Sequence, residues 1–399
     1  MTHRSRHRVL MLVCWALFAG CGDDDIGGDA STPIDGGHLG GWRALASQVT
    51  PGEANPTGTL LADGRAVFWG GNHTAAFLVD VNADNMTEVT LGGLILERHS
   101  ITTLPSGRIF GAGNAQEDFT EVAPEQLAPG ASRYAALYDV RVGTISVVEM
   151  LDSRGMHTAS LLSDGRVLLV GGSTGAVGMP AVDALERCEF FTESTNSFAA
   201  GPALAVGRYA HKATPLSDGR ILVTGGRGDD GRALASVELY DSATNTWRTV
   251  APMATARARH IAVRLGSGRV LVAGGTTGNS EGVTSAAEVY DASTDTWTSV
   301  PPLPIGVGAA GGVALPSGDA MITGGFNLIS PQPRATRQAL IFRDASSTWE
   351  PMADLLAPQY DHSMVVLADG HVLVGVGWED RAFGRKSGLE VSGDAFPAR

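Results

Sequence analysis

The stretch "SDGRILVTGG", residues 217–226, is a tight turn followed by a continuous apolar run that ends on two glycines. The chain writes this pattern seven times, the other copies being "ADGRAVFWGG" from Ala62, "PSGRIFGAGN" from Pro105, "SDGRVLLVGG" from Ser163, "GSGRVLVAGG" from Gly266, "PSGDAMITGG" from Pro316 and "ADGHVLVGVG" from Ala368. The turn glycines Gly64, Gly107, Gly165, Gly219, Gly268, Gly318 and Gly370 recur every 43 to 58 residues, so the internal period, and not the length of 399, sets the organisation. Asp-Gly or Ser-Gly between apolar runs is a strong hairpin signal, and it reads as a type I′ turn in which glycine supplies positive φ without strain. After the turn, Ile221, Leu222 and Val223 do not alternate with polar residues. Such a strand is covered on both faces, so every sheet has to sit between two others. The closing glycines let the backbone leave the strand where a side chain would obstruct it.

Each unit adds a second hairpin, clearest in "SVELYDSATNTWRTV" (236–250) and "AAEVYDASTDTWTSV" (286–300). Asp241 and Asp291 are placed to cap the turn with their side chains, and Trp247 and Trp297 open the next strand six residues on. Asp80 to Met86, Asp139 to Ile145 and Thr192 to Phe198 keep that step, whereas Asp344 to Trp349 reads one residue shorter. Two hairpins per unit predict four-stranded antiparallel sheets. With 52 glycines, 6% aromatic residues and no long amphipathic helical pattern, the fold class is all-β.

The Gly-Gly after a buried strand, the Tyr-Asp and the Trp at fixed offset resemble kelch repeats over residues 42–399, at about the 50-residue period of that family. The resemblance implies a seven-bladed β-propeller, each copy forming one blade that cannot bury its faces alone. The last unit runs through "GLEV" (388–391) and stops before any Trp strand, while "GWRALASQV" places Trp42 22 residues before Gly64, against 21 from Trp247 to Gly268. The N-terminal strand, residues 42–49, is therefore expected to complete the last blade and close the ring.

Ahead of the repeats, Arg4, Arg6 and Arg8 precede the apolar run "VLMLVCWALFA" (9–19), which is short for a bilayer span and reads as a targeting segment. It ends in "FAGC", which resembles the bacterial lipobox, with residues 1–21 as the lipoprotein signal and Cys21 as the lipidated residue. Phe18 stands where leucine is usual, and an ordinary signal peptide or an uncleaved anchor are the other readings. Residues 22–41 are rich in Gly and Asp, cannot bury a core, and read as a flexible tether. The implied address is the bacterial cell envelope, with membrane contact through the lipid alone. The net charge of -13 becomes -16 when the three leader arginines go, which argues against a nucleic-acid or anionic-membrane surface. Of the three cysteines, Cys14 leaves with the leader, Cys21 is the anchor and Cys188 is alone, so the mature chain has no internal disulfide.

Eight residues ahead of the turn glycine stand His99, His157, His211, His260 and His362, and three residues before the middle three of these stand Arg154, Arg208 and Arg257. Histidines in register on different blades are spread around a ring and cannot all meet one ion at about 2 Å, so no metal or other cofactor is expected. The bland reading holds each histidine against a neighbouring backbone or side chain. In kelch domains that bind acidic peptides, arginines near the start of the inner strand line the axial pocket, and the resemblance carries that role to Arg154, Arg208 and Arg257, with His157, His211, His260 and His362 beside them. Variable second loops, such as "RGDDGRA" from Arg227 and "FNLISPQPRAT" from Phe326, are expected on the same face. Cys188 aligns with Val237 and Ala287 in a strand and reads as a small core residue. The function that follows is a binding or scaffold module for a protein or an acidic glycan or peptide at the axial mouth. The alternative is a carbohydrate-active enzyme of the kelch type, similar to a sialic-acid mutarotase or, further off, to galactose oxidase.

Overall fold

The computed structural model describes residues 41–45, 57–69, 75–90, 96–115, 133–174, 183–278, 282–328, 334–375, 377–380, 385–386, 389–393 and 395–396. The signal segment, Cys21 and residues 22–40 of the tether lie outside the described residues, as do Val49, Gly388 and parts of the second loops. Seven four-stranded antiparallel sheets form the blades of a β-propeller, and no helix occurs among the described residues. Their innermost strands, blade 1 to blade 7, are Thr57–Leu60, Leu96–Thr103, Thr158–Leu161, Lys212–Pro215, Ile261–Arg264, Gly311–Ala314 and Met364–Val366. Each lies beside the next, and that of blade 7 lies beside that of blade 1.

The second strand of every unit is the apolar run after the turn, and Val167–Val170, Ile221–Thr224, Val270–Ala273 and Ala320–Thr323 are buried throughout. Apolar clusters fill the junctions between neighbouring blades. Between blades 3 and 4, Leu168, Val170 and Phe190 meet Ile221, Val223 and Tyr240. At the closing junction Leu373 and Val391 of blade 7 meet Phe68 and Val79 of blade 1. A large aliphatic or aromatic side chain buried this way contributes about 1.5–3 kcal/mol, so a blade is stable only between its neighbours.

The turn class differs from the type I′ reading. Positive φ is confined to the glycine, +84° at Gly219, while Asp218 stays on the negative side. The Gly219 N–H donates to the Leu216 carbonyl at 3.2 Å and the Leu216 N–H to that of Arg220 at 2.8 Å. This is a three-residue loop that ends in a glycine bulge, which also needs Asp-Gly. The double glycine has a packing cause. A Cβ on Gly225 (φ +58°) would stand 2.3 Å from the Arg257 carbonyl of the next blade, and one on Gly226 (φ +99°) 2.8 Å from the Tyr209 carbonyl.

In the outer hairpin the Trp column pairs with an aromatic or apolar residue: Tyr240 with Trp247, Tyr290 with Trp297, Tyr138 with Ile145 and Val79 with Met86. Phe342 pairs with Trp349, seven residues later as in blade 4, so the sixth unit is not shorter; Arg343, and not Asp344, takes the place of Asp241. Each indole N–H donates to the segment leading from the preceding blade: Trp247 to Pro202 at 3.0 Å, Trp297 to Ala251 at 2.8 Å and Trp349 to Pro301 at 2.7 Å. Trp42 does the same to Ala353, at 2.9 Å. The strand Trp42–Ala44 pairs with Glu390–Ser392 in the register that Trp247 has with Tyr240, so the N-terminal strand is the fourth strand of blade 7.

Candidate functional site

Arg154, Arg208 and Arg257, expected on the wall of the axial pocket, are fully buried inside blades 3, 4 and 5. Arg208 donates to the carbonyls of Gly225 and Ser236, at 2.9 and 3.0 Å, and to the Glu238 carboxylate at 2.7 Å. Arg257 repeats this with Gly274, Ala286 and Glu288, and Arg154 with Gly171, Arg187 and Glu189. The glutamates sit on the third strands and also accept two backbone N–H groups from the incoming interblade segment, as Glu238 does from Ala205 and Val206. Such a carboxylate catches the segment, and the arginine seals the ends of the second and third strands behind it. These buried guanidinium groups do not form an arginine-lined ligand pocket.

The histidines fasten one blade to the previous one. Nε2 of His157 meets Ser100 Oγ at 2.9 Å, His211 meets Thr158 Oγ1 at 2.9 Å, and His260 and His362 meet Thr224 and Thr323 Oγ1, each at 2.8 Å. His99 Nε2 lies 2.6 Å from the Trp69 carbonyl. Burial pushes the His157 and His260 pKa well below the usual histidine value, that of His211 to about 3 and that of His362 to about 4, so these rings are neutral. They do not converge, and among the described residues no three His, Cys, Asp or Glu side chains are grouped to hold a metal. Cys188 is 2% exposed in the core between blades 3 and 4, where burial pushes its thiol up to about 11. That is an unreactive packing residue.

The accessible chemistry lies one residue to either side of the histidines. Immediately before them, Met156, Ala210, Arg259 and Asp361, with Ala309 at the matching place in blade 6, have φ between +49° and +54°. The N–H of Ala210 donates to the Met156 carbonyl, that of Arg259 to Ala210, of Ala309 to Arg259 and of Asp361 to Ala309, at 2.8–3.0 Å. A main-chain hoop thus joins blades 3 to 7 at the axial mouth. On it, Arg259 forms an ion pair with Asp361 that reaches across blade 6. The Arg259 guanidinium also stands 5.7 Å from the centre of the Phe326 ring, which meets Tyr360 edge-on at 5.4 Å. The second loops start here through backbone bridges such as Tyr209 to Arg227, Gly308 to Phe326 and Tyr360 to Trp378, so the variable loops and the interblade segments share this face.

Just after His211, Lys212 opens the innermost strand of blade 4 with its side chain exposed. Desolvation by the surrounding protein holds its pKa below the usual lysine value; Asp361 opposes this, and Arg259 adds to it more weakly than Asp361 opposes it. Two residues earlier the Ala210 carbonyl accepts the Arg259 N–H at 2.9 Å, so Lys212 begins its innermost strand beside the hoop, at the axial mouth. Among the described residues it has no hydrogen-bond or ion-pair partner.

The signal for this site was present in the repeat itself. The column before the histidine reads Arg98, Met156, Ala210, Arg259, Ala309 and Asp361, and the column after it Ser100, Thr158, Lys212, Ile261, Gly311 and Ser363. Residues that recur serve what every blade shares. Residues that differ at a common position are free to serve a single site.

The chain matches the model of the KLHDC2/KLHL20/DRC7 Kelch-repeats domain over residues 156–377, more than half of its length. Among solved structures it is similar to a fungal alcohol oxidase with catalytic diversity among the AA5 family, in complex with copper, at a TM-score of 0.68 and 14% identity, covering 90% of this chain and 76% of that one. It is similar also to the structure of YjhT, at a TM-score of 0.57 and 13% identity, covering 88% of this chain and 97% of that one. At these identities the likeness is one of fold. No curated protein matches.

Proposed function

The chain belongs to the Kelch-repeats domain family, and from that premise we propose that it is an exported, lipid-anchored binding module of the bacterial cell envelope whose axial mouth takes a carboxylate-bearing partner, a protein or an acidic glycan or peptide. The observation that carries the reading is Lys212, exposed at the start of an innermost strand with no ion-pair partner among the described residues, two residues from the Ala210 carbonyl that holds Arg259 on the hoop. A carboxylate entering there would meet the unpaired Lys212 and, beside it, the Arg259 guanidinium in its ion pair with Asp361. The acidity of the whole chain, -13, disfavours nucleic acid as the partner. The basic leader, short apolar run and Cys21 support the anchor.

Partners captured from native membranes by the intact protein should be lost or weakened by Lys212→Met together with Arg259→Gln, in a variant whose melting shows it folded. Undiminished capture, or loss on altering only the opposite Asp-Gly-turn face, would defeat the site. Cys21→Ala should move the protein out of the detergent phase, and a mature mass without acyl chains would defeat the anchor. Turnover of an acidic sugar by the pure protein would instead favour the enzyme reading.

A further inference from the structure

We propose that the Lys212 ε-amine is a covalent ligand site, condensing reversibly with a small aldehyde or ketone that also carries a carboxylate, of the 2-oxo acid kind, to form an imine at the axial mouth. The inference rests on the mouth being the ligand site and adds what chemistry occurs there.

Three observations carry it. The chain has 29 basic residues, and lysine occurs only at 212 and 386, leaving 27 arginines. A sequence that meets nearly every need for positive charge with arginine places an amine at the mouth, and an amine differs from a guanidinium in being able to give up its proton and act as a nucleophile. The architecture does not ask for it, since the equivalent residues are Ser100, Thr158, Ile261, Gly311 and Ser363. Lys212 also remains exposed and unpaired at the start of an innermost strand, two residues after the Ala210 carbonyl that accepts the Arg259 N–H, where desolvation favours the neutral amine against the opposing charge of Asp361.

The neighbours supply the remaining roles. Arg259, seated on Phe326 and paired with Asp361, offers its guanidinium to the carboxylate of the ligand. Lys212 nitrogen attacks the carbonyl carbon, forming a C–N bond as the C=O π bond opens, and a proton passes from nitrogen to oxygen to give a carbinolamine. The hydroxyl then leaves as water when it takes up a proton, and the nitrogen lone pair closes the C=N bond. Asp361, held at the mouth by its ion pair with Arg259 and displaced from it by the incoming carboxylate, would shuttle these protons. Hydrolysis reverses the sequence, and no oxidant or reductant takes part.

The test uses the full chain with glyoxylate and a mild borohydride that traps imines, followed by peptide mapping for carboxymethyl-lysine. Near neutral pH, Lys212 should be trapped at least about tenfold faster than free Nα-acetyl-lysine, the gain expected of a positioned amine. Lys212→Arg, which keeps the cation, should lose that peptide's label while melting unchanged. Arg259→Gln should lower trapping with glyoxylate far more than with acetaldehyde, which has no carboxylate. Trapping of Lys212 no faster than the free amine overturns the proposal. If glyoxylate raises the melting temperature in a Lys212-dependent way without being trapped, the imine fails and the binding mouth stands. If it neither binds nor is trapped, the imine fails, and capture of membrane partners alone decides the mouth.

Discussion

In blade 5 the segment arriving from blade 4 is held by Arg257 and Glu288, both buried, whereas in blade 6 the same two positions are Val307 and Leu340, both in the apolar core between blades 5 and 6. The backbone does not register the difference. The Arg257 carbonyl accepts the Gly226 N–H at 2.9 Å, and the Val307 carbonyl accepts that of Gly275 at 2.7 Å. Blade 7 is intermediate, with Gln359 in the arginine place and Glu390 still accepting the N–H groups of Leu356 and Ala357. One junction thus has interchangeable fillings, as expected if taking two charges out of water costs nearly what their attraction returns. The buried pair is a way of packing, and its charge is not evidence of a ligand.

The largest effect should come from breaking one half of that filling. Glu238→Ala strands the buried Arg208 and should cost about 3–5 kcal/mol in urea unfolding. The double replacement Arg257→Val with Glu288→Leu, which copies blade 6 into blade 5, should restore most of what Glu288→Leu alone loses; an additive loss would mean that blade 6 depends on something beyond these two side chains. Next comes the closing blade. Trp42→Ala should cost about 3 kcal/mol, comparable to Trp297→Ala in a blade made from one continuous segment. A negligible loss at Trp42 would show that the seam is weaker than the other junctions.

Acid should reveal the histidines that blade 6 replaces with Ala310. A ring whose folded pKa lies below the ordinary 6.5 is neutral in the fold and takes up a proton on unfolding, so its stabilisation is complete above pH 6.5 and is lost as pH falls toward about 4 for His362 and about 3 for His211. His362→Gln should flatten the pH dependence of unfolding over that window, and an unchanged slope would mean that the ring is not held neutral. The smallest effect belongs to the turns. Where the turn reads Asp-Gly-Arg the arginine pairs within it, as Arg220 does with Asp218, and where it reads Ser-Gly-Arg the arginine reaches the next blade, as Arg108 does to Glu193 and Arg269 to Asp344. Ser267→Asp should redirect Arg269 and change stability by no more than about 0.5 kcal/mol, with the ion pair in a solved structure as the readout.

The blade count, the four strands per blade and the seam between the chain ends were legible because each was written at a fixed offset from the turn glycine. The turn class was not, because a type I′ turn and a glycine bulge both call for Asp-Gly. The burial of the arginines was legible and overlooked. Glu189, Glu238 and Glu288 stand inside the otherwise apolar runs "CEFF", "VELY" and "AEVY", and a carboxylate in a buried strand requires a partner. They occur in the same three blades as Arg154, Arg208 and Arg257, and blade 6 lacks both. Lys212, Arg259 and Asp361 were hidden for another reason: they come from three blades and reach one mouth, where Arg259 and Asp361 pair, only because the ring brings the starts of the inner strands together.

The hoop of peptide groups at the mouth has a consequence for how such a protein changes over generations. Its spacing from blade 3 to blade 7 is fixed by amides and carbonyls, so the five side chains it carries can be exchanged like bits in a chuck without altering the arc that holds them. The left-handed backbone there narrows the choice, favouring Asp, Asn or Gly over β-branched residues, and Asp361 already meets that demand. A descendant could take a new ligand by exchanging these side chains while the seven blades beneath go on folding as before.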